Sequence, residues 1–196
     1  AMVSKTPFDP VAGNPSSLMA NMAASAFTVG DDIFSGPGEA VNLFNIGATY
    51  QQSSQSASTI RSYQVPLGYA RVFDQGRYKF LINSELQYYQ YDRSNSFSGE
   101  INLTLARKMN SAWSVAPIVS IAGVGSPDMG SLSLVWGGFI KSQLQIPIWG
   151  IKLQLTNMVG YMQTQDVQLN DVNIDYKLHN WAADNGLAVV YRMKKG

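Results

Sequence analysis

The chain has 196 residues, of which 45% are hydrophobic and 14% are charged, and its formal net charge at pH 7 is +1. This composition is too apolar for a disordered protein, and the balanced charge gives no electrostatic basis for binding nucleic acid. Because cysteine is absent, disulfides, cysteine-ligated metals and a cysteine nucleophile are excluded.

The first predicted element is a short helix over residues 14–27, NPSSLMANMAASAF. Asn14 suits the N-cap position and Pro15 the first position of the helix. We assign residues 1–39 to an N-terminal segment that contains this helix, and residues 40–196 to one β-barrel domain. No stretch of the sequence reads as a signal peptide or reaches the roughly 18 consecutive apolar residues of a transmembrane helix.

From residue 40 onward, apolar and polar residues alternate, which predicts β-strands with one apolar and one polar face. The predicted strands are 40–51, 60–73, 78–91, 97–108, 113–123, 130–147, 151–165 and 172–193. The sequence Asp-Asn-Gly at 184–186 is a candidate break in the last of them. Several of these strands exceed the usual five or six residues of a globular strand and are long enough to span a membrane.

The alternation also predicts how neighbouring strands pair. Three short turns separate the best-defined strands, at 74–77, 108–112 and 147–150. Like residues then lie opposite one another on both faces if the innermost pairs are Phe73–Tyr78, Arg107–Trp113 and Ile146–Ile151. Three turns with self-consistent registers predict an antiparallel, up-and-down sheet.

The other connections are longer and rich in Ser, Asp, Asn and Gly, at 52–59, 92–97, 123–130 and 165–171. Long loops at one end and short turns at the other are typical of outer-membrane β-barrels, in which the short turns face the periplasm. The connections therefore predict a transmembrane barrel with the long loops outside the cell.

Each face of the predicted sheet has its own chemistry. The residues predicted to face lipid are Leu103, Leu134, Leu144 and Leu153. The residues predicted to form aromatic girdles at the membrane interfaces are Tyr78, Tyr88, Trp113, Trp149 and Tyr161. The polar face holds mainly small uncharged residues, unlike a soluble surface, and its isolated charges are predicted to face the lumen: Lys79, Glu85, Glu100, Lys108, Lys141 and Lys152. These charges would form a structural network or line a pore.

Two segments carry a family resemblance. DNGLAVVY, at 184–191, is similar to the β-signal of bacterial outer-membrane barrels, with a polar residue, a Gly two positions later and alternating hydrophobic residues. The helix before the first strand resembles that of autotransporter translocators, where it lies in the pore of a twelve-stranded barrel. The chain thus resembles the solitary autotransporter-type barrels, which lack a passenger. This resemblance implies an outer-membrane location, a lipid bilayer or detergent as surroundings, and the barrel-assembly machinery as a partner.

The pattern departs from that family in two ways. About eight strands are predicted, and the interior of an eight-stranded barrel is filled by its own side chains. The chain is therefore either part of a twelve-stranded barrel or an eight-stranded barrel with its helix outside. In addition, it ends YRMKKG, where such barrels usually end on an aromatic residue, which indicates a truncated chain or an unusual final residue.

Candidate chemistry is sparse. His179 is the single histidine, and outer-membrane enzymes such as lipid A acyltransferases use a histidine with Ser or Asp. No motif of those enzymes surrounds it, so a structural role is expected. Asp31 and Asp32 are expected to serve a turn. No metal-ligand spacing or nucleotide-binding motif is present, and no cofactor is expected.

The function that the sequence favours is a non-catalytic outer-membrane β-barrel with a structural, transport or pore-like role. One alternative is a soluble, lipocalin-like barrel that binds an apolar ligand. A second is an outer-membrane enzyme that modifies lipid A.

Overall fold

The computed structural model describes residues 15–28, 41–55, 58–90, 94–149, 151–164, 167–169, 172–174 and 177–191. In chain order the elements are α1 (Pro15–Thr28), β1 (Val41–Ile46), β2 (Thr49–Gln55), β3 (Ser58–Phe73), β4 (Tyr78–Gln90), β5 (Asn95–Lys108), β6 (Trp113–Ser126), β7 (Ser131–Ile148), β8 (Ile151–Thr164), β9 (Val167–Leu169), β10 (Val172–Ile174) and β11 (His179–Tyr191). Within these ranges, no helix is both long and apolar enough to cross a membrane.

The strands form one antiparallel sheet. Its main path runs in the order β1, β3, β4, β5, β6, β7, β8 and β11, while β2 pairs with β3, and β9 pairs with β7 and β10. The predicted all-β, up-and-down architecture with an N-terminal helix is therefore confirmed. Over the described residues the sheet is not closed, because β1 pairs with β3 and β11 with β8, each along one edge.

The hairpin of β3 and β4 has the predicted register. Phe73 lies opposite Tyr78, and the pairing continues without a break to Arg61 and Gln90. The turn between them places Asp74 and Gln75 at positive φ and ends in Gly76, also at positive φ. A short polar turn with a glycine was a sufficient signal for this register.

The hairpin of β5 and β6 differs from the predicted pairing by two residues. Arg107 lies opposite Val115, not Trp113. The Oδ1 atom of Asn110 accepts hydrogen bonds from the backbone N–H groups of Ala112 and Trp113, each at 2.8 Å, so the turn is built around Asn110 and includes residue 113. Because the shift is two residues, each side chain keeps its predicted face.

The hairpin of β7 and β8 is also two residues out of the predicted register. Ile148 lies opposite Ile151, and Ile146 opposite Leu153. The turn is shorter than predicted because β7 continues through Pro147, and Trp149 adopts a φ of 43°. Positive φ is the conformation required in two-residue hairpin turns. Again the faces of both strands are those predicted.

The first predicted strand is two strands that both pair with β3. The interruption falls at Gly47, whose N–H donates to the carbonyl of Pro66 at 3.1 Å. Pro66 lacks an N–H to return that bond, so the regular ladder breaks opposite it. The predicted loop at 52–59 is wrong, because β2 and β3 extend through it and pair as far as Gln55 and Ser58.

Two further connections differ from the predictions. Half of the predicted loop at 123–130 is strand, since β6 continues to Ser126 and only a short 3₁₀ turn at Pro127–Met129 and Gly130 precede β7. The last predicted strand divides into β10 and β11, and Asp-Asn-Gly at 184–186 lies inside β11 without breaking it. The contrast between long loops and short turns is therefore weaker than predicted.

Helix α1 packs on one face of the sheet, against β6, β7, β8 and β11. We call this the inner face; on β7 it carries Val135, Phe139 and Lys141, which are all buried. The opposite, outer face carries the alternate residues. Burial on the inner face extends to Lys79 on β4, a strand away from the helix, so the sheet curls around this side. The predicted alternative with the helix outside is therefore wrong.

The apolar part of the inner face is a single cluster. Met19, Met22 and Ala26 follow one stripe of α1 at a spacing of three and four residues, and all three are fully buried. They pack among inner-face residues of β6, β7 and β8, namely Ile118, Ala122, Val124, Val135, Phe139, Met158 and Met162. This cluster fixes the helix to the sheet.

Two glycines provide a matched test of this packing. Gly160 on β8 lies under the ring of Phe139, where an added Cβ would come within 2.1 Å of Cδ1, whereas an added Cβ at Gly138 would meet nothing within 4 Å. We expect Gly160→Ala to lower the free energy of unfolding by about 1–3 kcal/mol through overpacking. Gly138→Ala should change it by less than about 0.5 kcal/mol. Urea titration in detergent micelles measures both, and equal midpoints would contradict the packing of Phe139 over Gly160.

Candidate functional site: the inner face and its helix

Burial on the two faces is opposite to that of a soluble protein. The outer face exposes large hydrophobic side chains from every long strand, including Leu103 at 42% and Leu134 at 38%. The buried residues of the inner face include Lys79, Asn102, Ser120, Lys141 and Gln143. Soluble monomers seldom expose contiguous apolar patches of more than a few hundred Å². The outer face therefore differs from the surface of most soluble monomers.

The residues predicted to face lipid lie on the outer face. Leu103, Leu134 and Leu144 are exposed there, and Leu153 is half-buried. The surrounding exposed residues are mostly aliphatic, among them Ile101, Leu105, Val119, Ile121, Ile140 and Ile146.

The predicted girdle residues lie in two groups near opposite ends of the strands. Tyr78, Trp113 and Trp149 are near the short turns, where the Arg107 guanidinium lies 5.4 Å from the Tyr78 ring centroid. Trp113 Nε1 donates to Ser142 Oγ at 2.9 Å. Contacts of this kind give the aromatic side chain a polar partner, as is common for Tyr and Trp at a membrane interface.

At the other end of the strands, Tyr88 lies 6.1 Å from Tyr63, measured between ring centroids. Tyr161 lies between Trp136 and Trp181, with ring centroids 6.4 and 5.3 Å away. Trp136 and Trp181 were not among the predicted girdle residues. They could have been identified because they alternate in step with the apolar residues of their strands and lie within a few residues of strand ends.

The predicted lumen-facing charges all lie on inner-face positions, but the structure does not bring them together as one group. Glu85 and Glu100 lie directly opposite each other on β4 and β5. Lys79 is six residues from Glu85 on the same strand, roughly 20 Å away at the rise of a β-strand. Lys79 and Lys141 are buried, Lys108 is partly buried, and Lys152 is exposed.

Glu85 and Glu100 border an open cleft of about 190 Å³ that is also lined by Ser25, Asn45, Pro66, Leu67, Gly68, Asn83, Ser84 and Asn102. On β4, Tyr89 donates to the Gln87 amide oxygen, and the Gln87 amide nitrogen donates to Glu85. These contacts order the carboxylates on the wall of the sheet.

Asn102 links this wall to α1. Its Nδ2 atom donates to Glu100 Oε1 at 2.6 Å and to Ser25 Oγ on the helix at 3.1 Å. The Ser120 hydroxyl donates to Asn102 Oδ1. A single buried amide thus holds β5, β6 and the helix. The alternation of the sequence predicts that Asn102 faces the lumen, but no charge or motif indicated its contact with α1.

Lys141 makes the second polar contact to the helix. Its ammonium group donates to the backbone carbonyl of Phe27, in the last turn of α1, and lies 5.4 Å from the centroid of the Phe27 ring. The last carbonyls of a helix lack internal partners and carry partial negative charge, so a cation there is stabilising. The buried charge is thereby compensated by the helix itself.

The candidate catalytic histidine lies on the outer face. His179 is exposed, its Nδ1 atom contacts the Tyr161 hydroxyl, and its ring stacks on Tyr161 with centroids 5.9 Å apart. These contacts are with an aromatic ring, and Gln163 on β8 lies opposite His179 in the ladder. Asp31 and Asp32 lie outside the described residues. In the described part of the chain, no three His, Asp or Glu side chains are grouped so as to hold a metal ion.

Comparison with known proteins gives one structural likeness. No protein-family model matches the sequence, and no curated protein matches it significantly. The translocator domain of autotransporter NalP from Neisseria meningitidis resembles the fold with a TM-score of 0.46 and 11% sequence identity, over 93% of this chain and 71% of that domain. The chain therefore has a loose resemblance to autotransporter β-barrels.

The contact between Lys141 and α1 generates a prediction. Lys141→Met keeps the aliphatic stem but removes the charge and the hydrogen bond to Phe27. A spin label at Ala24, an exposed position on α1, should gain mobility in this variant because the end of the helix is released. Lys152→Met is the matched control, since Lys152 is an exposed lysine at the end of the same face. An unchanged Ala24 spectrum in Lys141→Met would contradict the anchoring role.

Proposed function

We propose that this chain is a β-barrel protein of a Gram-negative outer membrane, with a structural, transport or pore-like role and no catalytic activity. The observation that carries the proposal is that the outer face exposes large apolar side chains while the inner face buries polar and charged ones. Large aliphatic side chains such as Leu103 and Leu134 are exposed on the outer face, while Lys79 and Lys141 are buried on the inner one. In a bilayer the first group is in hydrocarbon and the second in a shielded polar interior.

The strand lengths support this environment. The shorter of the long strands have 13 residues. A strand of that length extends about 43 Å, which at a tilt of about 45° crosses roughly 30 Å, the thickness of the hydrocarbon core. Two groups of aromatic residues flank the aliphatic zone, as in the girdles of outer-membrane barrels.

Helix α1 determines what the interior can do. It occupies the inner face and is anchored through the apolar cluster, Asn102 and Lys141. A helix in this position covers part of the inner face and contributes Ser25 to the cleft beside Glu85 and Glu100. The helix is therefore proposed to plug a polar lumen. The barrel-assembly machinery is the partner proposed for insertion into the membrane.

The two alternatives fit the side chains less well. A soluble lipocalin-like barrel would place its apolar residues around an internal ligand cavity, whereas here large aliphatic side chains such as Leu103 and Leu134 are exposed on the outer face and most residues that line the cleft are polar. A lipid A-modifying enzyme would require partners for His179, and its described contacts are with aromatic rings. His179→Ala should therefore leave any lipid A of the host membrane unchanged.

The deciding experiment uses single spin labels, since the chain has no native cysteine. Labels at Leu103→Cys and Leu134→Cys in reconstituted bilayers should collide strongly with oxygen dissolved in the lipid. Labels at the inner-face positions Gln143→Cys and Gln154→Cys serve as controls and should show much weaker collision with oxygen. Shielding of positions 103 and 134 from both oxygen and an aqueous relaxant would place the apolar face in a protein core.

Orientation in the membrane has a separate test. The turn at 74–77 should face the periplasm and the connection between β4 and β5, predicted at 92–97, the cell exterior. In the structure β5 already begins at Asn95, and 91–93 lie outside the described residues. Trypsin added to intact cells should then cut at Arg93 and spare Arg77, while permeabilised cells should also be cut at Arg77. Cleavage at Arg77 without cleavage at Arg93 in intact cells would reverse the orientation.

A further inference from the structure

The charged residues of the strands are divided between the two faces by type. In the described strands every lysine lies on the inner face, and so do the carboxylates of Glu85, Glu100 and Asp184. The outer face of these strands has no carboxylate, and its charged residues are three exposed arginines: Arg61, Arg71 and Arg107. Along the described strands, the outer-face arginines therefore have no acidic partner on their own face.

Arg71 and Arg107 lie near each other, close to the short turns. Arg71 is opposite Phe80 on β4, and Arg107 is opposite Tyr78 on the same strand. Their Cα atoms are therefore separated by two strand spacings across the sheet and two residues along it, roughly 10 Å and 7 Å. The Arg107 guanidinium lies over the Tyr78 ring, between the two strands. The two long side chains can thus reach one group located above Tyr78.

The surface beside this pair is apolar in the direction of the strand centres. Phe80 and Leu105 lie opposite each other on the outer face, and Leu103 follows Leu105 on β5. Leu105 and Leu103 are 44% and 42% exposed. Strands β3, β4 and β5 each pair with a strand on either side, so this surface does not depend on what lies beyond the edges of the described sheet. Two cations thus border an exposed apolar strip.

We propose that Arg71 and Arg107 bind the phosphate of an anionic phospholipid in the leaflet that borders the short turns, with its acyl chains against Phe80, Leu105 and Leu103. This inference rests on the proposed membrane location. A guanidinium can bind a phosphate through two parallel N–H···O hydrogen bonds, whereas a lysine ammonium acts as a point charge. At the rim of the hydrocarbon, an arginine keeps its stem on apolar surface and its charged head among the headgroups. A phosphate ligand accounts for the restriction of arginine to the outer face.

The charge of the site favours an anionic over a zwitterionic lipid. A zwitterionic headgroup carries an ammonium group beside its phosphate, and on the described outer face that ammonium would meet cations and no carboxylate. The acidic residue nearest to Arg71 in sequence is Asp74, in the turn that also carries Arg77, so the turn adds no net charge. The pair should therefore select a headgroup whose net charge is negative.

The test is the lipid selectivity of the folded full chain in phosphatidylcholine vesicles. Electron paramagnetic resonance of spin-labelled lipids distinguishes lipids held at the protein from free ones. Spin-labelled phosphatidylglycerol should associate at least about threefold more strongly than spin-labelled phosphatidylcholine, because one basic residue near an anionic lipid surface already contributes about fivefold. Equal association of the two lipids with the unmodified chain would overturn the proposal, and this measurement requires no variant to fold.

A charge-matched pair of variants locates the site. Arg71→Gln/Arg107→Gln should bring the preference for phosphatidylglycerol close to one. Arg61→Gln/Arg77→Gln removes the same charge from the opposite end of β3 and from the turn, and should retain most of the preference. All four positions are exposed, so neither double variant should disturb packing. Equal losses in the two double variants would indicate a general effect of charge and overturn the site.

Two further outcomes separate this inference from its alternatives. Inorganic phosphate should leave the preference as sodium chloride of equal ionic strength leaves it, because acyl chains also hold the lipid. Displacement by inorganic phosphate alone would indicate a site for free anions and overturn the proposal. If spin labels at 103 and 134 contact lipid but no preference is found, this inference alone fails, whereas a chain monodisperse without detergent removes the membrane location as well.

Discussion

The structure depends on the backbone hydrogen bonds between neighbouring strands. A strand in the middle of the path, such as β5 or β7, has both edges paired. Its side chains on the two faces can therefore lie in different environments. The helix has its own internal hydrogen bonds, so it can lie on the inner face without a place in the ladder. Over the described residues, β1, β2, β10 and β11 each pair along one edge only.

The sequence predicted the faces of the sheet better than its registers. The period of two survives a shift of two residues, so the errors at the β5–β6 and β7–β8 hairpins moved no side chain to the wrong face. The registers themselves depend on turn details that alternation does not contain. Asn110 organises one turn through its side chain, and Trp149 adopts a positive φ that its residue type does not favour. Similarly, the break at Gly47 results from Pro66 on a different strand.

The candidate site was predictable only in part. Parity alone assigned Lys141, Glu85 and Glu100 to the inner face. It could not identify the partner of Lys141, because that partner is a backbone carbonyl 114 residues earlier in the chain. A usable signal was nevertheless present: Phe139, Met158 and other apolar residues occupy positions among the polar ones of the inner face, and Met19 and Met22 repeat along one side of α1. Apolar residues on both surfaces at matching positions indicate that the helix and the sheet meet there.

The order of the contacts along the chain has a consequence for folding. The strands from β3 to β8 pair with their sequence neighbours, mostly across turns of a few residues. By contrast, α1 reaches Asn102 and Lys141 across separations of 77 and 114 residues. Contacts between distant segments require costly loop closure, and they form slowly unless other structure has already brought the segments together. We therefore expect the hairpins to form first and the helix to dock last, which leaves the polar inner face hydrated until a late stage of assembly.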